Sequence, residues 1–395
     1  MYYLGIDIGK NNHEAGFIDQ DGKHLGKSFR FSNTQEGFEN FLAFIQERLA
    51  EEVNFCIGME ATGHYWLALY TYLQKQGFIL HLINPIQSDS LRNFHIRQQK
   101  TDSIDCFLIA DVMRFGQFTE THLGDEEILI LRNLARFRES LVDSCANYKR
   151  QVMTVLDQVF PEYDKLFSNV FGESSKAVLK TYGTPEQIVD VNTKSLATLL
   201  RKTSKGRHST DKAREMKDLA SRSVGIALCS DAFAFQIKIL IEQIEFTEKQ
   251  IQEIDQKIAK QLKKLNQVIL TIPGVGPSTG AIILGEIGDI NRFSNPKKLV
   301  AFAGIDPTAF QSGNFSGQHN RLSKKGSPYL RRAVWMSAVV ASRCDPVFKA
   351  FYEKKRKEGK AHGTAIGAVS RKLLYTIYAV LKTNTPYEVR PNTQE

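Results

Sequence analysis

Over the first hundred positions apolar residues alternate with polar ones in short runs. For most of the remaining chain they recur at helical spacing. Residues 2–7, 14–18 and 25–31 are β-rich runs, the last two joined by the turn formers Asp19-Gln20-Asp21-Gly22, and together they predict a three-stranded meander. Asn33 with Glu36 makes a capping-box pattern ahead of Phe38, Phe41, Leu42, Ile45 and Leu49, whose spacing is helical. An apolar strand over 53–59, a helix over 64–76, a strand over 78–84 closed by Pro85 and a helix over 101–115 follow.

The order βββαβαβα is that of a ribonuclease H-like fold, a mixed sheet with helices on its faces. From 128 to 160 the pattern changes. Leu131, Leu134, Leu141, Cys145, Tyr148, Val152, Val155 and Val159 form a heptad seam, and Ile237, Leu240, Ile244, Thr247, Ile251, Ile254 and Ile258 form a second. Two long helices therefore pair, either within one chain or between chains. Beyond Leu265, the run Ile272-Pro273-Gly274-Val275-Gly276-Pro277 leads into a small-residue helix, then a compact region ending in a helix that starts near Pro328. The expected organisation is an α/β ribonuclease H-like domain over 1–120, a helical coiled-coil region over 121–265 with an insert at about 161–230, a mainly α domain over 266–350, and a basic helix and tail over 351–395.

With 42% hydrophobic residues, 395 positions suffice for two or three cores. The formal charge of +9 is unevenly spread: residues 260–395 carry 22 Lys/Arg against 8 Asp/Glu, a net +14, leaving about −5 for the rest. A polyanion contact is thus expected toward the C-terminal end, although the basic run at 354–357 reads equally well as a solvated helix face. The five cysteines show no paired spacing and read as reduced thiols. No leader-like or membrane-spanning apolar segment stands out, so a cytoplasmic protein without a membrane partner is expected.

Candidate chemistry begins with four acids. Asp7 ends the first strand in Gly5-Ile6-Asp7-Ile8-Gly9, Glu60 ends the fourth, and Asp102 and Asp105 stand three apart at a helix start, on one face. Singly, an Asp beside Gly shapes a turn and Asp102 favours a helix N-terminus. If strands one and four are neighbours, however, the four carboxylates converge and require cations. Hard oxygen donors favour magnesium, with manganese a possible substitute, and two ions about 4 Å apart serve phosphoryl transfer.

The C-terminal region adds phosphate-binding candidates. Gly274 and Gly276 precede a helix whose N–H groups suit an anion, and Arg321, Lys324, Lys325, Arg331 and Arg332 supply positive charge. Ser312-Gly313, Ser316-Gly317 and Ser323 lie among them. A Ser-Gly pair is more often a turn than a nucleophile.

These motifs, with Met59-Glu60-Ala61-Thr62-Gly63, Lys100-Thr101-Asp102-Ser103-Ile104-Asp105, Ser204-Lys205-Gly206-Arg207 and Ser323-Lys324-Lys325-Gly326, resemble those of the DEDD-type insertion-sequence transposases, serine recombinases guided by a bridge RNA. The resemblance covers nearly the whole chain. It implies a RuvC-like N-terminal domain, a coiled-coil middle and a C-terminal transposase domain, with a serine that becomes covalently linked to DNA close to a magnesium-binding acidic set. Carried over by motif, the acids are Asp7, Glu60, Asp102 and Asp105. Ser312 is the implied nucleophile, since the family's Ser-Gly pair follows a stretch matched here by Gly304-Ile305-Asp306-Pro307. The extra Ser316-Gly317 departs from the family pattern and leaves Ser316 a second candidate and Ser323 a third. The implied partners are donor and target DNA, a structured noncoding guide RNA and further copies of the chain as a dimer or tetramer. The alternative is a metal-dependent branched-DNA endonuclease, resembling a Holliday-junction resolvase, that uses water as nucleophile.

Overall fold

The alternating runs assemble into one mixed sheet. Its strands, β1 (Tyr2–Ile8), β2 (Asn12–Ile18), β3 (Phe29–Ser32), β4 (Phe55–Glu60) and β5 (Leu80–Ile83), lie in the order β3-β2-β1-β4-β5. The β1–β2 and β2–β3 pairs are antiparallel, and the β1–β4 and β4–β5 pairs are parallel, as in a ribonuclease H-like sheet. The computed structural model describes residues 1–48, 54–60, 63–83, 88, 102–116, 125–265, 268–307, 311–312, 315–316 and 321–389. The chain forms two units, Met1–Leu123 and Gly124–Glu395.

In the first unit, period-two alternation sends Leu4, Ile6, Phe17, Ile57 and Met59 to one face of the sheet. Helices α1 (Gln35–Arg48) and α2 (Trp66–Lys75) supply Phe41, Leu69 and Leu73 to the same core. Each of these fully buried side chains contributes roughly 1.5–3 kcal/mol of transfer free energy. The start of α1 differs from the expected Asn33 cap: the Thr34 hydroxyl accepts the Gly37 N–H at 3.2 Å, while the Asn33 amide donates to the Lys10 carbonyl. A long-range turn contact thus takes the residue that local pattern made the cap. The third strand is also shorter than expected. Gly26 turns to φ +84°, and Arg48 donates to the Leu25 carbonyl instead of a sheet neighbour doing so.

The second face of the sheet is built around a row of glycines. Gly5 is in register with Gly16 on β2 and with Gly58 on β4. Helix α3 (Asp102–Arg114) lies in this trough. A Cβ on Gly5 would stand 2.0 Å from the Cys106 carbonyl oxygen and 2.5 Å from the Ala110 nitrogen, so close seating of the helix requires glycine there. Ile83, Ile109, Val112 and Met113 seal this face.

The second unit is helical. Helices α4 (Glu126–Val159) and α9 (Ser230–Lys264) run antiparallel along each other in the same chain, cross-braced by Arg138–Asp255 at 2.6 Å and Lys149–Glu248 at 2.6 Å. Their seams feed two cores. Between them in sequence, α5 (Glu173–Thr181), α6 (Pro185–Asp190), α7 (Thr193–Thr203) and α8 (Thr210–Ser221) pack against Val152, Val155, Ile237, Ile241 and Ile244. After them come α10 (Pro277–Ile287), α11 (Pro296–Ala303), α12 (Pro328–Cys344), α13 (Pro346–Lys357) and α14 (His362–Thr383), which pack on Leu131, Ile254 and Ile258. Helix α14 buries Ile366, Leu373 and Ile377 in the same core as α10 and α12. Among the described residues, no helix is long and apolar enough to cross a membrane.

Candidate functional site

Three strands of the first unit carry one Gly-x-acid pattern. It reads Gly5-Ile6-Asp7 on β1, Gly58-Met59-Glu60 on β4 and, in the opposite chain direction, Glu14-Ala15-Gly16 on β2. Because side chains two apart share a face, the glycine row under α3 is flanked by an acidic row on the same face. Asp7 is paired with Glu14 in the β1–β2 register. Its parallel neighbour on the β4 side is Glu60, one step beyond the Ile6–Met59 pair. The expectation that Asp7 and Glu60 meet at the carboxyl ends of adjacent strands is thus what the register gives.

The polar surroundings hold these acids in place. Ser88 donates to Glu60 Oε2 at 2.6 Å, and Ser28 donates to Glu14 Oε1 at 2.5 Å. Cys106, one residue after Asp105 on α3, registers the charge: burial first, then the Glu14 and Asp7 carboxylates, push its thiol up to about 12. Asp105 itself is buried, 6% exposed. Asp102 opens α3, and its side chain lies outside the described residues. Glu14 is the residue that sequence reasoning passed over. Its signal was the Gly16 two positions away, which repeats the spacing of the other two strands.

The donor set suits a divalent ion. Asp7, Glu60 and Asp105 offer only carboxylate oxygens, the hard ligands that magnesium and manganese prefer. Among the described residues, no three His, Cys, Asp or Glu side chains are grouped closely enough to hold a metal ion together.

In the second unit the serines separate. Ser312 on β6 (Gln311–Ser312) and Ser316 on β7 (Phe315–Ser316) form a short antiparallel hairpin, with Gln311 opposite Ser316 and Ser312 opposite Phe315. Their side chains, and Gly313 and Gly317, lie outside the described residues. Ser323 is committed locally: its hydroxyl donates to Asp306 Oδ1 at 2.5 Å, and its N–H bonds the Asp306 carbonyl. With the Pro307–Leu322 bridge these bonds close the base from which the hairpin extends.

The predicted phosphate contacts divide in the same way. Arg321, Lys324 and Lys325 are exposed beside the hairpin base. Arg331 donates to the Ala303 carbonyl at 3.1 Å, whereas Arg332 is engaged with Glu139 at 3.1 Å and Asp143 at 2.8 Å on α4. Gly274 takes φ +85° where a Cβ would stand 2.3 Å from the Ser337 carbonyl oxygen, so helix packing already demands a glycine. The Gly276 N–H is taken by the Thr279 hydroxyl at 3.0 Å.

Known proteins resemble this chain in sequence. Residues 4–161 match the model of the IS110-type DEDD transposase domain, described as a transposase. Residues 266–353 match the model described as transposase IS116/IS110/IS902 family. The insertion element IS900 uncharacterized 42 kDa protein of Mycobacterium paratuberculosis is 26% identical over 404 residues, covering 99% of this chain and 98% of that one. The insertion element IS110 uncharacterized 43.6 kDa protein of Streptomyces coelicolor is 22% identical, covering 98% and 96%. The pilin gene-inverting protein of Moraxella bovis is 26% identical, covering 98% of each. Full-length similarity of this kind, on a chain whose acids sit in one row of a ribonuclease H-like sheet, places the chain in the IS110/IS116/IS902 family of DEDD transposases.

Proposed function

We propose that this chain is the transposase of an insertion sequence, and that it cuts and rejoins DNA through Ser312 assisted by the acids of its first unit. The observation that carries the reading is the sheet register, which sets Asp7 beside Glu60 on the face covered by the helix of Asp105. Asp7, Glu60, Asp102 and Asp105 would hold magnesium, or manganese in its place. When bound, the ion offsets the mutual repulsion of the carboxylates and supplies Lewis acidity toward phosphate oxygens.

Ser312 is preferred because Ser323 already serves Asp306 and because exposed Arg321, Lys324 and Lys325 flank the described base of the Ser312 hairpin. In the proposed step Ser312 Oγ bonds to phosphorus as the bond from phosphorus to a deoxyribose oxygen breaks. The serine proton passes to water and the departing oxygen takes one up. Rejoining reverses the step: a deoxyribose hydroxyl of another strand attacks, and the serine leaves. No bond energy is lost to hydrolysis, which suits a protein with a relative named for inverting a gene. The cations hold the phosphate charge. A structured noncoding RNA would choose the DNA by base pairing, its backbone contacting the +14 region, and strand exchange would use several copies of the chain.

Covalent trapping tests the reading. End-labelled DNA incubated with the full chain, the noncoding RNA and magnesium is run on a denaturing gel. The wild type, Ser316→Ala and Ser323→Ala should form the protein–DNA adduct; Ser312→Ala and Asp7→Asn should not. Adduct retained by Ser312→Ala would move the nucleophile elsewhere. Cleavage that survives all three serine substitutions without any adduct would establish the water-using endonuclease instead.

A further inference from the structure

Two arginines in the second unit share one buried carboxylate, and a third stands close enough to feel its charge. Arg132 and Arg136 stand one turn apart on α4, a like-charged pair that is repulsive on a helix. Glu286 reaches them because α10 crosses α4 at Gly285, where a Cβ would stand 2.7 Å from the Arg132 Cα. Arg136 grips the carboxylate with two prongs, Nε to Oε1 at 2.6 Å and Nη2 to Oε2 at 3.0 Å. The Ser327 hydroxyl donates to Oε2 at 2.7 Å. Glu286 is therefore fully engaged, and it is only 4% exposed.

Neither of the other two arginines is seen to hydrogen-bond this carboxylate. Arg132 Nε lies 3.7 Å from Glu286 Oε1, beyond hydrogen-bond range, and is buried with no acceptor among the described residues. Arg292, from the turn after α10, donates to the Ile287 and Glu286 carbonyls at 3.0 and 3.3 Å. Its guanidinium is stacked 4.5 Å from the centres of the Phe293 and Phe302 rings. Among the described residues, the other carboxylate acting on Arg292 is Asp289, which is exposed and caps its own turn. Burial, then the Arg136 charge, holds the Arg132 guanidinium below its ordinary value. Burial, then Arg132, brings Arg292 down to about 10. A buried polar atom without a partner points to a ligand, ion or water, and half-buried cations in excess of the carboxylates beside them suit an anion.

Access and position agree. The Arg132 side chain keeps 31% exposure, and Arg292 is half-buried. Ser327 is bonded to Phe302, so the cluster adjoins the paired segments from which the Ser312 hairpin extends. Resting on the reading that this chain acts on nucleic acid, we propose that Arg132 and Arg292, held in place by the Arg136–Glu286 pair, bind a phosphate of a nucleic-acid backbone beside the paired segments 302–307 and 322–327.

The test is the salt dependence of binding by the full chain carrying Ser312→Ala, to duplex DNA, single-stranded DNA and hairpin RNA in turn. Arg132→Gln and Arg292→Gln should each lower the slope of log affinity against log salt by about 0.9 on duplex DNA, or about 0.7 on a single strand. The strand type on which the slope falls identifies whose phosphate is held. Arg132→Lys should keep the slope. Arg136 is not the probe, because its loss would strand Glu286 in the core. An unchanged slope on every strand for both Gln variants, with a lowered melting temperature, would overturn the proposal and make the cluster a structural ion pair alone. A lowered slope together with no adduct from the wild type sinks only the Ser312 assignment; adduct with an unchanged slope sinks only the phosphate site.

Discussion

Gly5→Ala should detach the helix that carries Asp105. The added Cβ would stand 2.0 Å from the Cys106 carbonyl oxygen and 2.5 Å from the Ala110 nitrogen, against 3.4 Å for ordinary contact. Both obstructing atoms are backbone, on successive turns of α3, so no rotamer change relieves them, and the helix must retreat by about 1.4 Å. Overpacking a filled core costs roughly 1–3 kcal/mol, and a rigid backbone obstacle puts this site at the upper end, about 3 kcal/mol. Local opening of α3 becomes easier by that amount, and its amides should exchange about a hundredfold faster. Gly58→Ala is the matched control. Its Cβ meets Met113 Sδ at 2.3 Å, the end of a flexible thioether that can swing away, so the cost should stay near 1 kcal/mol. Hydrogen-exchange mass spectrometry on the full-length variants reads both, using peptides from Asp102–Arg114. Protection in Gly5→Ala within threefold of wild type, or Gly58→Ala proving the worse of the two, would refute the close-approach reasoning.

Two further outcomes follow from the second unit. Burial acts to raise Glu286, but hydrogen bonds and charge from Arg136, then Ser327 and Arg132, hold it below its ordinary 4.5. Its contribution is thus complete above about pH 4.5 and is lost as pH falls through the folded-state value. Glu286→Gln should cost about 3–5 kcal/mol at pH 7, and its melting curve should converge with that of the wild type as pH falls from 4.5 through the depressed folded-state value; a constant gap across that range contradicts the assignment. Asp345 is buried, accepts the Val347 and Phe348 N–H groups at 2.9 Å and receives the Tyr387 hydroxyl at 3.1 Å. Asp345→Ala should cost about 1–2 kcal/mol as a lost cap and release the segment 384–389 to limited proteolysis, whereas unchanged resistance there would show that Tyr387 is anchored without it.

Much of the first unit was legible before any coordinates. Period-two alternation and turn formers depend on neighbours a few residues away, so the strand order, the placing of Asp7 and Glu60 on adjacent strands and the helix carrying Asp105 follow from local pattern and one topological rule. The Gly-x-acid repeat was also there to be read, yet Glu14 joins the row only through the antiparallel register of β1 with β2, which a hairpin of unknown loop geometry does not disclose. Asn33 lost the cap to Thr34 because a distant carbonyl, that of Lys10, claimed its side chain. In the helical unit, heptad spacing revealed two seams, while their pairing inside one chain depends on how the intervening helices pack. Basic residues were the least legible of all. Arg332 and Lys325 look alike in sequence, but one crosses to Glu139 and Asp143 while the other faces solvent. The carboxylate that gathers Arg132 and Arg136 lies 150 residues beyond Arg136, and only the crossing of α4 and α10 at a glycine brings it there. Short-range periodicity determines which element a residue joins; the partner of a charged side chain is decided by helix crossings, which no local pattern encodes.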